Sequence, residues 1–137
     1  MATNVSSFAL TSRTSSKLSP TRMSMIEITK GVEFDTIARE WRLKWSVDSD
    51  KKSLQSVQQT LSIFENELKG IQGLKSVQRI VCGGCLDYKL VIALDAADFG
   101  AWEEKSFAPE ENFLNAVKAI DGVSAVETQT YTIMPVL

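Results

Sequence analysis

The sequence of 137 residues contains no histidine. Histidine is the usual general base near neutral pH, a frequent ligand of zinc and haem, and the usual side chain of a pH switch. Its absence excludes the common forms of all these sites. The chain has only two cysteines, and two thiolates cannot fill the four ligand positions of a structural zinc site. The sequence therefore predicts no bound metal and no cofactor.

A surplus of positive charge is also missing, because 15 basic and 17 acidic residues leave a net charge of −2. Proteins dedicated to nucleic acids or anionic membranes carry a basic surplus, so no nucleic-acid partner is predicted. No apolar run approaches the roughly 20 residues that cross a bilayer as a helix, and no transmembrane segment is predicted. Apolar residues make up 44% and charged residues 23%, which is typical of one globular domain.

The first 26 residues lack acidic side chains but contain seven serines and four threonines. A serine-rich composition with scattered basic residues is typical of an organelle transit peptide. A secretory signal is not predicted, because the segment lacks the continuous apolar stretch that such a signal contains. We expect import into a plastid, with cleavage near residues 23–25. A mitochondrial transit peptide and the disordered tail of a cytoplasmic protein are the alternatives. Residues 27–36 are expected to link this segment to a domain at 37–137.

Two segments of the remaining chain repeat each other. LKGIQGLKSVQ (68–78) matches VKAIDGVSAVE (117–127) in its order of apolar, polar and small residues. Each is typical of the last turn of a helix, a glycine and the start of a strand, and Gly73 and Gly122 suit the left-handed conformation that ends a helix. Such a repeat in a small domain indicates two copies of one supersecondary unit.

Hydrophobic spacing completes the two units. Apolar residues at three- and four-residue steps predict amphipathic helices at 50–70 and 109–120. Alternating or apolar runs bounded by turn residues predict four strands, at 39–46, 76–82, 88–94 and 124–134. The order β-α-β-β-α-β predicts an α+β fold of the ferredoxin-like type, with a four-stranded antiparallel sheet and two helices on one of its faces.

This architecture leaves the second face of the sheet without helices. A face that mixes apolar and charged side chains is favoured to pack against a partner. We expect a homodimer formed through this open face. Its predicted members are Arg42, Lys44, Lys89, Val91, Ala93 and part of the series Thr128, Thr130 and Thr132.

The stretch VCGGCLDYK (81–89) places Cys82 and Cys85 two residues apart. A redox C-x-x-C motif has its first thiolate at a helix N-terminus, where the helix dipole lowers the thiol pKa. Here the motif lies between two predicted strands, and Gly83-Gly84 predicts a two-residue hairpin turn with positive φ at both glycines. We interpret the stretch as a structural turn. A reversible redox pair of the two cysteines is the alternative.

The segments GGCLDYKLVIALDAADF and ENFLNAVKAIDGVSAVETQTYTIMPV resemble the effector-binding domain of the Lrp/AsnC regulators, one of the dimeric α/β-barrel domains. This resemblance implies dimerisation and small-ligand binding between subunits. It does not imply DNA recognition, because the sequence has no helix-turn-helix domain. The matching positions are Gly84, Asp87, Asp95 or Asp98, Gly122 and Val123.

The chain also resembles the guanine-nucleotide exchange domain of the elongation factor one beta subunit. The likeness rests on the element order, the glycine-bearing turn before YKLVI and the strand after IDGVSAVE. It implies a nucleotide-exchange-like translation factor domain.

Candidate site residues fall in two places. Phe99, Trp102 and Phe107 lie between the third strand and the second helix, where aromatic residues either seal the core or form a lid or partner-docking loop. Asp87 and Tyr88 follow the cysteine turn. We assign ligand or partner binding to these five residues, and no catalytic residue is predicted.

We therefore predict a non-catalytic binding domain, an accessory or assembly protein of a plastid complex that acts through dimerisation and binding of a partner or small ligand. Besides the translation factor domain, a small cofactor-free dimeric α/β-barrel enzyme is the alternative. Without histidine, such an enzyme would need a pocket lined by tyrosines and a buried carboxylate. The acid–base groups that remain for it are Asp87, Glu127, Tyr88 and Tyr131.

Overall fold

The computed structural model describes residues 25–137. The predicted transit peptide and its cleavage site lie, apart from Met25 and Ile26, outside these residues. None of the helices between residues 25 and 137 is long and apolar enough to cross a membrane. The elements are β1 (Ile26–Thr29), β2 (Val32–Phe34), β3 (Thr36–Lys44), α1 (Asp48–Lys69), β4 (Leu74–Val81), β5 (Asp87–Asp95), α2 (Ala96–Glu104), α3 (Glu110–Lys118) and β6 (Ser124–Ile133).

Strands β3 to β6 form one antiparallel sheet in the order β4-β5-β3-β6. The predicted α+β, ferredoxin-like fold is confirmed, with three helices rather than two. Helix α2 lies in the segment that was expected to be a loop. The sequence of α2 gives little sign of a helix. Gly100 lowers helix propensity in its middle, and its buried residues form no strong apolar stripe.

The core lies between the sheet and the helices. Strand β3 alternates as predicted, so that Trp41, Leu43 and Trp45 are buried in this layer. They meet Phe113 of α3 and Val57 of α1, which are also fully buried. The repeat is confirmed at its two glycines, because Gly73 and Gly122 have φ of 84° and 94°.

The register of β6 corrects one prediction about the open face. Thr130 pairs with Arg39, and Tyr131 pairs with Ala38. Residues directly opposite each other share a face, so the threonines lie on the helix-covered side and Tyr131 lies on the open face. The assignment of the threonines to the open face was wrong, since a shift of one residue moves every side chain of a strand to the other face.

A short hairpin occupies most of the segment that was expected to be a linker. Strands β1 and β2 pair antiparallel around Gly31. Phe34 is buried in the main core and Ile26 packs against that core. The hairpin is therefore attached to the domain by apolar contacts as well as by the chain.

Candidate functional site

A polar cluster lies inside the layer between sheet and helices. Arg39 and Trp41 project from β3, and Glu110 is the first residue of α3. Arg39 Nε and Nη2 donate to Glu110 Oε1 and Oε2 at 2.8 and 3.0 Å, and Trp41 Nε1 donates to Oε1 at 2.7 Å. The carboxylate also suits the positive end of the helix dipole. These bonds attach the start of α3 to the centre of the sheet.

The Arg39 guanidinium has further partners. Nη1 donates to Thr130 Oγ1 at 2.8 Å, and Nη2 donates to Thr128 Oγ1 at 3.0 Å. Together with the bonds to Glu110, they use four of the five N–H groups of an arginine. One Nη1 N–H is left for another acceptor. The side chains of Arg39 and Glu110 are only 16% and 14% exposed, so a ligand bound there would be shielded from water.

Aromatic rings surround this cation. The guanidinium carbon of Arg39 lies 4.1 Å from the ring centre of Phe107, which is a cation–π contact. Phe107 packs against Phe99 and Trp102 with ring centres 5.7 and 5.1 Å apart. On the other side of the cluster, Trp41 stacks on Phe113 at 5.0 Å. We call these five residues the aromatic wall.

The structure thus brings together Phe99, Trp102 and Phe107, as the assignment of these residues to one site requires. Phe99 and Trp102 are only 5% and 4% exposed, so these two side chains do not offer a surface for a partner protein. The Trp102 indole donates to the carbonyl of Ala108 at 2.9 Å. Only Phe107 is half-buried, and it is the ring at the outer edge of the wall.

The backbone that carries Phe107 is unusual. Ser106 and Phe107 have φ of 56° and 57°, a left-handed conformation that is rare for a bulky residue. The Phe107 N–H donates to the carbonyl of Trp102 at 3.0 Å. Such conformations are found at functional sites more often than elsewhere. This one holds the Phe107 ring over the Arg39 guanidinium.

Asp87 and Tyr88 do not join this cluster. As neighbours in a strand they point to opposite faces. Asp87 forms an ion pair with Lys44 at 2.9 Å, and Lys44 itself lies on the open face. The hydrogen bond from Lys44 lowers the pKa of the Asp87 carboxyl. The structure therefore places Asp87 away from the layer that holds Arg39.

Tyr88 is fully buried on the helix side of β5. Between residues 25 and 137, its hydroxyl is the one buried side-chain polar group without a hydrogen-bond partner. Burial raises the pKa of Tyr88 to about 12. Tyr88 pairs with Leu43 and Arg39 pairs with Ile92, so four residues of β5 separate the two positions, about 13 Å at 3.3 Å per residue.

Tyr131 and Glu127 lie on the open face. The Tyr131 hydroxyl donates to Glu40 Oε1 at 2.9 Å, and Glu40 is only 4% exposed. Burial and, after it, Glu40 raise the pKa of Tyr131 to about 12. Glu127 is exposed and lies 3.7 Å from Arg42. The pocket that an enzyme was expected to need, with Tyr88, Tyr131 and a carboxylate, is not formed, because the tyrosines lie on opposite faces.

The cysteine stretch differs from the predicted two-residue turn. Cys82 and Cys85 form a disulfide within a five-residue loop between Val81 and Asp87. Gly83 and Gly84 have no positive φ, and Leu86 takes the left-handed conformation instead, with φ of 63°. The disulfide therefore spans the loop rather than the two strands. In the described part of the chain, no group of three histidine, cysteine or acidic residues is placed to hold a metal ion.

No family model matches the chain, and no curated protein does. Solved structures do match. A protein of Deinococcus radiodurans assigned as an antibiotic biosynthesis monooxygenase has a TM-score of 0.56 and 13% identity, over 74% of this chain and 95% of that one. SnoaB, a cofactor-independent oxygenase of Streptomyces nogalater, has a TM-score of 0.51 and 13% identity, over 75% and 97%.

A monooxygenase of Streptomyces coelicolor, solved with the ligand Nanaomycin D, has a TM-score of 0.55 and 9% identity, over 76% of this chain and 91% of that one. At these identities the likeness establishes the fold alone, which is ferredoxin-like. The resemblance to the Lrp/AsnC domain is confirmed at that level and no finer.

The prediction of a non-catalytic binding domain was wrong. These three structural neighbours are a cofactor-independent oxygenase and two proteins described as monooxygenases. They favour the small cofactor-free enzyme, which was an alternative, over a binding domain. The physical reason is that catalysis does not always need histidine or a tyrosine–carboxylate pocket, since an oxygenase can act by binding and stabilising a reactive substrate.

Proposed function

We propose that the chain is a cofactor-independent oxygenase that acts on a planar, acidic aromatic substrate. One observation carries the proposal: Arg39, a guanidinium largely shielded from water in the layer between sheet and helices, has the Phe107 ring of the aromatic wall over it. The oxygenases among the structural neighbours support it through their shared fold.

The chemistry follows from the lack of a cofactor in such a reaction. Molecular oxygen reacts slowly with neutral organic molecules, so the substrate itself has to supply electrons, and an anion supplies them more readily. A fixed positive charge in a site of low polarity stabilises that anion. Arg39 is such a charge. For a methylene group the balanced reaction is CH₂ + O₂ → C=O + H₂O.

The surroundings of Arg39 also indicate the substrate class. The carboxylate of Glu110 already accepts three hydrogen bonds, two from Arg39 and one from Trp41, so it is not positioned to take a proton from a substrate. The substrate should therefore be acidic enough to ionise by itself. In this proposal its ring takes the place of the Phe107 ring over the guanidinium, and its oxyanion accepts the remaining Nη1 N–H.

The proposal is tested with 1,8-dihydroxyanthrone, a planar phenol whose CH₂ group is oxidised to a carbonyl. We expect the full chain to accelerate oxygen uptake over the rate in buffer. Arg39→Gln should lower this acceleration about 100-fold, the size of effect seen when one electrostatic stabiliser of a transition state is removed. An oxygen electrode and the absorbance of the quinone measure both rates.

Arg79→Gln is the matched control, because Arg79 is an exposed arginine on the edge strand β4, which β5 separates from the strand of Arg39. We expect its rate to stay within about twofold of the unaltered chain, since a surface charge that distant is screened. Circular dichroism establishes that each variant is folded. Equal rates for the folded Arg39 and Arg79 variants would contradict the assignment of Arg39.

We further propose that a second copy of the chain covers the open face. Its centre is formed by Ala38, Val91 and Ala93, and charges of both signs surround it, such as Arg42 and Glu127. Such a face can be complementary to itself across a two-fold axis. Light scattering should give twice the chain mass of 15.2 kDa.

Ala93→Lys, which places a charge in the centre of the open face, should give a monomer. Ile63→Lys is the control, because Ile63 is 77% exposed on helix α1, and it should stay dimeric. A monomeric unaltered chain at about 10 μM, or the same mass for both variants, would argue against this interface.

A further inference from the structure

The two sulfurs of the disulfide loop have different surroundings. The backbone N–H of Cys85 donates to Cys82 Sγ at 3.0 Å. Cys85 Sγ instead lies 3.4 Å from Asp87 Oδ2. A hydrogen-bond donor stabilises a thiolate, and a neighbouring carboxylate destabilises it. After reduction, Cys82 should therefore have the lower thiol pKa of the two.

The charged residues around the loop maintain this difference between the Cys82 and Cys85 sulfurs. Lys44 Nζ lies 2.9 Å from Asp87 Oδ1 and donates to the carbonyl of Cys85 at 2.8 Å. Lys44, and at longer range Lys89 and Arg42, lower the pKa of the Asp87 carboxyl. Asp87 thus stays ionised throughout the range in which thiols titrate. Cys85 is also the more exposed cysteine, whereas Cys82 is half-buried.

We propose that Cys82–Cys85 is a site of thiol–disulfide exchange with a dithiol reductant, in which the Cys85 sulfur is attacked and Cys82 leaves as the thiolate. Exchange is faster when the attacked sulfur is accessible and the leaving thiol has a low pKa. The exposure of Cys85 and the donor beside the Cys82 sulfur both favour attack at Cys85. This inference does not depend on the oxygenase proposal.

The reaction balances in two steps. One thiolate of the reductant attacks Cys85 Sγ, the S–S bond breaks, and the electron pair leaves with Cys82 Sγ, which takes up a proton. The second thiolate of the reductant then attacks the reductant sulfur that is bonded to Cys85. This step closes the reductant's disulfide and releases Cys85 as a thiolate, which is protonated. The reductant is oxidised to its disulfide and the loop is reduced to two thiols.

Trapping with glutathione tests the direction of attack. Glutathione has a single thiol, so its attack leaves a mixed disulfide and one free cysteine thiol. Acid quenching and alkylation block that thiol before it re-forms the loop disulfide, and mass spectrometry of peptides then locates the glutathione. We expect at least about fivefold more glutathione on Cys85 than on Cys82. Equal amounts, or an excess on Cys82, would overturn the proposal.

The thiol pKa values provide a second readout, which tests the cause of the asymmetry independently of trapping. In Cys85→Ser the remaining thiol is Cys82, and in Cys82→Ser it is Cys85. Iodoacetamide reaction rates against pH should give Cys82 the lower pKa, because the Cys85 N–H lies beside its sulfur and Asp87 lies beside that of Cys85. Adding Asp87→Asn should lower the pKa of Cys85 and change that of Cys82 less. The reverse order of the two pKa values would contradict the account.

Discussion

Tyr88 and Tyr131 are the two tyrosines of the chain, and they lie on different faces of the sheet, Tyr88 fully buried and Tyr131 half-buried. The hydroxyl of Tyr131 has a partner in Glu40, whereas that of Tyr88 has none among residues 25–137. A buried hydroxyl without a partner costs about 1–3 kcal/mol. The same residue type therefore has opposite effects at the two positions.

This difference predicts the effect of removing each hydroxyl. Tyr88→Phe should raise the free energy of unfolding by about 1 kcal/mol, because it removes an unpaired buried group. Tyr131→Phe should lower it by a similar amount, because Glu40 loses a donor. Urea unfolding measures both. A loss of stability in Tyr88→Phe would show that its hydroxyl has a partner.

The effect of Tyr88→Phe on the free energy of unfolding should depend on pH. In the folded chain the pKa of Tyr88 is raised to about 12 from an ordinary value of 10.0. The unfolded chain therefore loses its phenol proton first, and the stability of the unaltered chain falls as the pH rises from 10 to 12. The advantage of Tyr88→Phe should grow over that range.

At the scale of the elements, one polar side chain joins the start of helix α3 to the sheet, in addition to the apolar contacts of Phe113 and Val117. Glu110 binds both Arg39 and Trp41 of β3, although 71 and 69 residues of sequence separate the partners. Helix α2 precedes it and contributes Phe99 and Trp102 to the aromatic wall. The connection between the two helices carries Phe107.

Glu110→Gln should therefore destabilise the fold by about 2 kcal/mol, less than the 3–5 kcal/mol for a fully buried pair because the side chains are partly exposed. Glu111→Gln, the neighbour on the exposed side of the same turn, should cost under about 0.5 kcal/mol. Urea unfolding compares the two. Equal losses would mean that the bonds to Arg39 and Trp41 do not secure α3.

Local patterns predicted most of these elements correctly. The alternation of Trp41, Leu43 and Trp45 and the glycines of the repeat indicated the four strands of the main sheet, helices α1 and α3, and their order. The register of β6 could not be read in the same way, because its threonines are compatible with either face. Neither could α2, since its buried residues form no clear amphipathic pattern.

The candidate site was harder to predict than the fold. Phe99, Trp102 and Phe107 stood out as an aromatic group. Arg39 could have been placed on the same side of the sheet, because it lies two residues before Trp41 on β3 and shares its face. Its pairing with Glu110 is a contact between distant parts of the sequence, which periodicity does not reveal. Tyr88 and Tyr131 were favoured instead, because they are acid–base groups in a chain that has no histidine.

At the scale of the whole molecule, the sheet separates two surfaces with different properties. The layer under the helices holds Arg39 and the aromatic wall, and the open face holds a small apolar centre with mixed charges. In our account the first surface binds substrate and the second binds another copy of the chain. The disulfide loop joins β4 to β5, and its exposed Cys85 is accessible to a reductant.

The most direct test of the central proposal uses isotopically labelled oxygen. The full chain is incubated with 1,8-dihydroxyanthrone under ¹⁸O₂, and the product is analysed by mass spectrometry against a heat-unfolded sample of the chain. Our account predicts faster formation of the quinone, with one ¹⁸O atom in the new carbonyl and one O₂ consumed per substrate. A rate equal to that of the unfolded sample would contradict it.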